Sequence, residues 1–276
     1  MRFLSCFLIL VSLLFYSASI VAQSNKLPKK GICAHRGAME HHPENTIAAF
    51  KEAIRLGAQM IEFDVRLTKD KRLVVIHDDT LGRTTNGVGK VKKATFNQIR
   101  ELDAGSWKSE EFSAEKVPTL KEVLQIMPKT VWLNIHLKGN KELGIKTAKM
   151  VVAENRIEQS IIACSKKPYK GVKEVSTAIK TCNMQRLSSR SKYIDKTIKK
   201  SIPYLQIKSS RDNDKLVSDV QRLKENGVGI NYYHAENETR IIELLDAGVD
   251  FILTNHLSEM MDVFKKYSAK QSENQP

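Results

Sequence analysis

Hydrophobic and polar positions change period repeatedly along the chain. "GICA" (Gly31–Ala34) and "MIEFDV" (Met60–Val65) are apolar runs of strand length, and "LVVI" (Leu73–Ile76) is another extended piece. Between the first two, "TIAAFKEAIRLG" spaces its apolar residues as an amphipathic helix does and closes on Gly57. "VWLNIHLK" (Val131–Lys138) alternates strictly, with Val131, Leu133, Ile135 and Leu137 on one side and Trp132, Asn134, His136 and Lys138 on the other. That is a strand with two unlike faces. Downstream, helical patterns near 141–154, 169–180, 213–226, 238–246 and 257–266, and one around Tyr193–Lys199, alternate with short strands near 160–163, 183–187, 204–207, 229–233 and 251–254.

Eight strand starts result, near 31, 60, 131, 160, 183, 204, 229 and 251, separated by helices. Strict β/α alternation calls for a parallel sheet, and at this length a closed (β/α)8 TIM barrel is the economical architecture. The stretch 66–118 is too long for a simple connection. With its Gly/Thr/Asn-rich "HDDTLGRTTNGVG", it reads as an insertion after the second strand, at the end of the barrel where long loops serve a site. Polar residues should then gather at strand C-termini. They do so in "AHRG", "EFD" and "HLK".

The 276 residues carry 41% hydrophobic and 28% charged side chains, ordinary for a globular protein. Residues 1–22 stand apart: Arg2, an apolar run, then small residues ending at Ala22 are laid out as a secretory signal peptide, implying export. An uncleaved anchor is the alternative reading of that run. A polar linker (23–30), the barrel (31–266) and a polar tail (267–276) complete the division. Cys33, Cys164 and Cys182 are too few and too scattered for a disulfide framework; core thiols are the simpler reading, a Cys164–Cys182 bridge the alternative. The net charge of +14 favours anionic partners, a phosphate ester or an acidic membrane surface. No arginine stripe with interleaved aromatics argues for nucleic acid.

Glu62 and Asp64 lie two apart on one strand, so their carboxylates share a side. Two close carboxylates in a barrel repel unless a cation lies between them, and Mg²⁺ or Ca²⁺ prefers such oxygen ligands. His35 and Arg36 end the first strand, and His77 follows "LVVI". Two imidazoles can serve as general acid and base. A guanidinium fork matches a phosphate. Lys138, two past His136 on the same face, needs an anionic partner or a phosphate oxygen.

The chain resembles the glycerophosphodiester phosphodiesterase family. The resemblance rests on "AHRG…PENTIAAFKEAIRLGAQMIEFDVRLTKDKRLVVIHDDTLGRTTNGVG", "LDAGSWKSEEFSAEKVPTLKEVL" and "LLDAGVDFILTN", and it covers about Gly31 to Lys265. It implies a TIM barrel that uses a divalent metal to hydrolyse glycerophosphodiesters to glycerol 3-phosphate and an alcohol. By position it implies His35 and His77 as the acid/base pair and Arg36 as phosphate binder. It further implies Glu62 and Asp64 as metal ligands, Glu44 of "PENT" in support, and Lys138 on the phosphate or the ligand shell.

The departures from the family pattern bear on function. His136 stands where the family usually has a third ligand glutamate, which tilts metal preference from Mg²⁺ or Ca²⁺ toward Mn²⁺ or Zn²⁺. Tyr233, in "INYYHAEN", replaces a tryptophan, and "LTNHL" stands where an Asp and a Pro are common; both reshape the wall around the alcohol end. A working enzyme with an adapted metal site is the first reading, because both histidines remain. A barrel that only binds the diester is the second. A phospholipase D-like action on lysolipids is the third.

Overall fold

The computed structural model describes residues 26–185 and 189–273; the expected signal segment, 1–22, lies outside the described residues. The strands are β1 (Gly31–Ala34), β2 (Met60–Leu67), β3 (Leu73–Val75), β4 (Trp132–Leu137), β5 (Ser160–Cys164), β6 (Lys180–Asn183), β7 (Tyr204–Lys208), β8 (Gly229–Tyr233) and β9 (Phe251–Thr254). All but β3 pair parallel in sequence order, and β1 pairs with both β2 and β9, so eight strands close a barrel. Strand β3 folds back antiparallel on β2, Val65 opposite Val75, outside the ring. The architecture is a (β/α)8 TIM barrel with an insertion after the second strand.

The helices are α1 (Ile47–Arg55), α2 (Phe96–Arg100), α3 (Leu120–Ile126), α4 (Lys141–Ala153), α5 (Lys166–Val175), α6 (Arg190–Lys199), α7 (Leu216–Glu225), α8 (Glu238–Asp246) and α9 (Leu257–Glu273). Several begin on side-chain caps that satisfy their first free N–H groups: Thr46, Asn140, Ser189 and Asn237, with a full capping box from Thr119 to Glu122. Helix α2 lies in the insertion, over a small core of its own built from Val74, Ile76, Leu81, Val91, Ile99 and Val117.

Two apolar layers follow from strand alternation. Outward-facing Ile61, Phe63, Leu133, Ile135 and Ile162 pack against the helices. Inward-facing Cys33, Met60, Trp132, Ile161, Cys182, Phe251 and Leu253 fill the bore. Trp132 thus shares the face of Asn134 and His136, but it lies at the start of β4, where the bore is apolar. Its Nε1–H donates to the Pro28 carbonyl at 2.8 Å, so the expected linker is docked at the barrel floor. Cys164 faces the helices while Cys182 faces the bore, and no disulfide joins them.

Several boundaries differ from the sequence reading, three of them for a visible reason. The helix expected over 169–180 spans Lys166–Val175: Pro168 is tolerated in its first turn, where no intrahelical N–H bond is lost. The following strand starts at Lys180 rather than 183, because β-branched Ile179 and Thr181 and the inward Cys182 take up the alternation. Helix α9 continues to Glu273, into the expected tail, since Tyr267 is buried and its hydroxyl donates to Asp246 at 2.9 Å.

Candidate active site

Register brings the acids together. Glu62 pairs with Asn134 and Asp64 with His136, so all four side chains enter the bore near the C-terminal ends of β2 and β4. Glu62, Asp64 and His136 each present one donor atom within 4.8 Å of the others. His136 Nδ1 is 3.4 Å from Glu62 Oε1 and 3.3 Å from Asp64 Oδ1. Asp64 is completely buried, and Asn45 clamps it, donating to Oδ2 at 3.1 Å and accepting from its backbone N–H at 3.2 Å. Asp64 Oδ1 has no aligned hydrogen bond. Two carboxylate oxygens and an imidazole nitrogen, one of them buried and unsatisfied, fit a divalent ion. Burial alone would raise the Asp64 carboxyl; the close approach and charge of His136, with Lys138 and His77, hold it well below the usual range. Burial likewise disfavours protonated His136, but Asp64 and Glu62 outweigh it and raise its proton affinity.

Arg36 has a φ of 55°, in the left-handed region, and Gly37 follows at 83°. A Cβ on Gly37 would lie 2.8 Å from the Ala49 backbone, so only glycine lets "AHRG" turn against α1. The strained turn aims the Arg36 N–H at Glu62 Oε2, 3.1 Å away. The Arg36 guanidinium reaches Glu44 at 2.8 Å, and its Nε lies 3.5 Å from Asp64 Oδ2. Lys138, just past β4, has Nζ 3.3 Å from both Asp64 Oδ1 and His77 Nε2.

Hydrogen-bond partners assign the histidine tautomers. His77 Nδ1 lies 2.6 Å from Asp78 Oδ1. An ionised carboxylate only accepts, so Nδ1 carries the hydrogen. His35 Nδ1 lies 2.6 Å from Asn255 Oδ1, while Asn255 Nδ2 donates toward His234 Nε2 at 3.0 Å. Both imidazoles therefore turn Nε2 toward the cleft, where that of His77 accepts from Lys138 Nζ. His35 Nε2 sits 3.9 Å from Glu62 Oε2. Burial lowers the His77 proton affinity, against the pull of Asp64 and Asp78. Tyr233, at the end of β8, meets the His35 ring edge-on at 5.2 Å between centroids.

All nine residues expected at the site line this one region. Four others belong to it and were not expected. Asn45 clamps Asp64, and Asp78 and Asn255 orient the two histidines. Arg83 bridges Glu44 and Asp78 with contacts of 2.6–2.8 Å. Asp78 carried a signal, a carboxylate directly after a histidine; Arg83, in a loop, carried none.

Arg83 yields a stability prediction with a definite pH sign. Burial would raise the Glu44 carboxyl, but hydrogen bonds from Arg83 and the charges of Arg36 and Arg83 hold it below its ordinary value. A carboxyl lowered in the folded state stabilises above its unfolded pKa, and that contribution is lost as pH falls through the folded value. Arg83→Met should cost about 1–2 kcal/mol at pH 7, since Arg83 itself is partly exposed. Denaturant unfolding should show the gap from wild type narrowing as the pH is taken below 4.5. A constant gap would contradict this.

A barrel that gathers two acids, an imidazole, two oriented histidines and cationic side chains at its C-terminal mouth has the layout of a metal-assisted hydrolase of anionic esters. The comparisons define it further. Residues 35–259 match the glycerophosphoryl diester phosphodiesterase family, and the chain belongs to it. YhdW of Bacillus subtilis is 37% identical over 82% of this chain and 94% of its own. The glycerophosphodiester phosphodiesterase of Caldanaerobacter subterraneus is 34% identical over 85% and 98%. The structure of an Oleispira antarctica phosphodiesterase in complex with the product sn-glycerol-3-phosphate aligns with a TM-score of 0.75 at 26% identity, covering 85% of this chain and 96% of that one. The chain is thus a phosphodiesterase of this family, with a Glu/Asp/His cluster suited to a divalent metal.

Proposed function

We propose that the protein hydrolyses glycerophosphodiesters to glycerol 3-phosphate and an alcohol, with His35 and His77 as the acid/base pair. The observation that carries this reading is the pairing of two imidazoles, each anchored through Nδ1 with Nε2 turned to the cleft, beside Glu62, Asp64 and His136. These three residues would hold the divalent ion, which when bound supplies charge for the phosphoryl oxygens. Arg36 and Lys138 add positive charge next to the same oxygens. One histidine accepts a proton at Nε2 from the attacking water as its oxygen bonds to phosphorus. The other, protonated at Nε2, delivers its proton to the departing alcohol oxygen as the P–O bond breaks. Asp78 and Asn255 keep both rings in register. Tyr233, edge-on to the His35 ring, walls the cleft on that side. Glu44 holds Arg36 in place.

The leader at 1–22 supports export, and the excess of Lys and Arg suits small anionic diesters, near a membrane surface or free of it. No helix among the described residues is long and apolar enough to cross a membrane. The test is release of glycerol 3-phosphate from glycerophosphocholine and glycerophosphoethanolamine by residues 23–276 with Mg²⁺, Ca²⁺, Mn²⁺ or Zn²⁺. Release that depends on metal is expected. Tight diester binding with no product at any metal would replace the hydrolase by a binding barrel.

A further inference from the structure

A cavity of about 500 Å³ opens beside the barrel mouth, between the ends of β2 and β4 and the start of α4. Its lining includes Arg66, Lys69, Lys71, Lys92 and Lys138, against one carboxylate, Asp79. Asp79 is exposed and lies 3.9 Å from Lys90, outside the lining. Lys71 is paired with Glu142 at 2.9 Å, whereas Lys69 and Lys92 have no ion-pair partner among the described residues. Arg66 is the informative member. It is half-buried, yet its guanidinium meets only backbone: the His77 carbonyl at 2.8 and 2.6 Å and the Lys138 carbonyl at 3.3 Å. Asp64, Asp78 and Asp79 act on it only through space, with no carboxylate in contact, and the burial of the cation outweighs them, a solvation deficit that an anion would offset. The N-terminal end of α4 adds partial positive charge on the same wall.

The cavity adjoins the site through a shared residue. Lys138 lines it, and the same ammonium lies 3.3 Å from Asp64 and from His77. A ligand spanning Lys138 would have one phosphate at the Glu62/Asp64/His136 cluster and a second group among Arg66, Lys69 and Lys92. We propose that this cavity is a subsite for a second anionic group borne by the substrate's alcohol, so that the preferred diesters are those whose alcohol is itself phosphorylated. The proposal rests on the hydrolytic reading above and names its substrate class.

Two substrates test it: glycerophosphocholine, whose alcohol is cationic, and bis(glycerophospho)glycerol, whose alcohol carries a second phosphodiester. Wild type should show the higher kcat/KM on the second. The exposed pair Lys69→Glu/Lys92→Glu should raise KM for bis(glycerophospho)glycerol about tenfold and leave glycerophosphocholine kinetics within about twofold. Equal change on both substrates, or none on either, would overturn the subsite. If neither substrate is hydrolysed, the hydrolytic reading fails, and calorimetric titration of bis(glycerophospho)glycerol still decides the subsite. Binding weakened by the double variant upholds it. Absent or unchanged binding rejects it.

Discussion

Alanine at His35 or at His77 should lower kcat by about 10²–10⁴ while leaving the barrel folded. Each ring is held at Nδ1 by a single side-chain acceptor, Asn255 or Asp78, so its removal deletes a proton carrier without emptying an apolar core position. His35 is buried against Tyr233 and is the more exposed to a packing loss; thermal unfolding alongside the kinetics separates the two effects. Because acid and base act in one displacement, the double variant should be little slower than the slower single variant. Near-normal turnover in either single variant would remove that histidine from the chemistry.

Removal of divalent ions should abolish turnover, and the order in which ions restore it should depend on His136. Glu62 and Asp64 supply two negative charges, and a neutral imidazole leaves the site uncharged with a divalent ion bound. A third carboxylate would leave one net negative charge and favour harder ions. Wild type should therefore respond better to Mn²⁺ or Zn²⁺ than to Mg²⁺ or Ca²⁺, and His136→Glu should raise Mg²⁺ affinity by about tenfold or more. Calorimetric titration of the stripped protein reads this without reference to turnover. Equal Mg²⁺ affinity in both proteins would mean that His136 is not a ligand. Activity that survives stripping would mean that the cluster serves another purpose.

The barrel was legible because its strands differ from its helices in period and because the strand ends carry the polar residues. His35, Glu62, Asp64, His136 and Lys138 all sit at or just past the ends of apolar runs, and parallel register then forces Asp64 opposite His136. β6 was misplaced by three residues because Ile179–Asn183 continues the apolar spacing of α5 without a glycine or proline between them. The orienting residues were hidden for a different reason. Asn255 meets His35 across 220 positions of chain, and Arg83 reaches Glu44 from a loop. Such contacts depend on closure of the ring, which no local period encodes.

The tryptophan at the barrel floor has a geometric consequence. Trp132 ties Pro28 to the end of the bore opposite the histidines, and β1 starts from there at Gly31. The described chain therefore enters the barrel from the face remote from the cleft. If the leader were retained and held in a bilayer, the tether would leave from the underside and the cleft would look outward, away from the lipid. An enzyme moored in that way would sample molecules arriving from the surrounding water and would present its back to intact lipids in its own membrane.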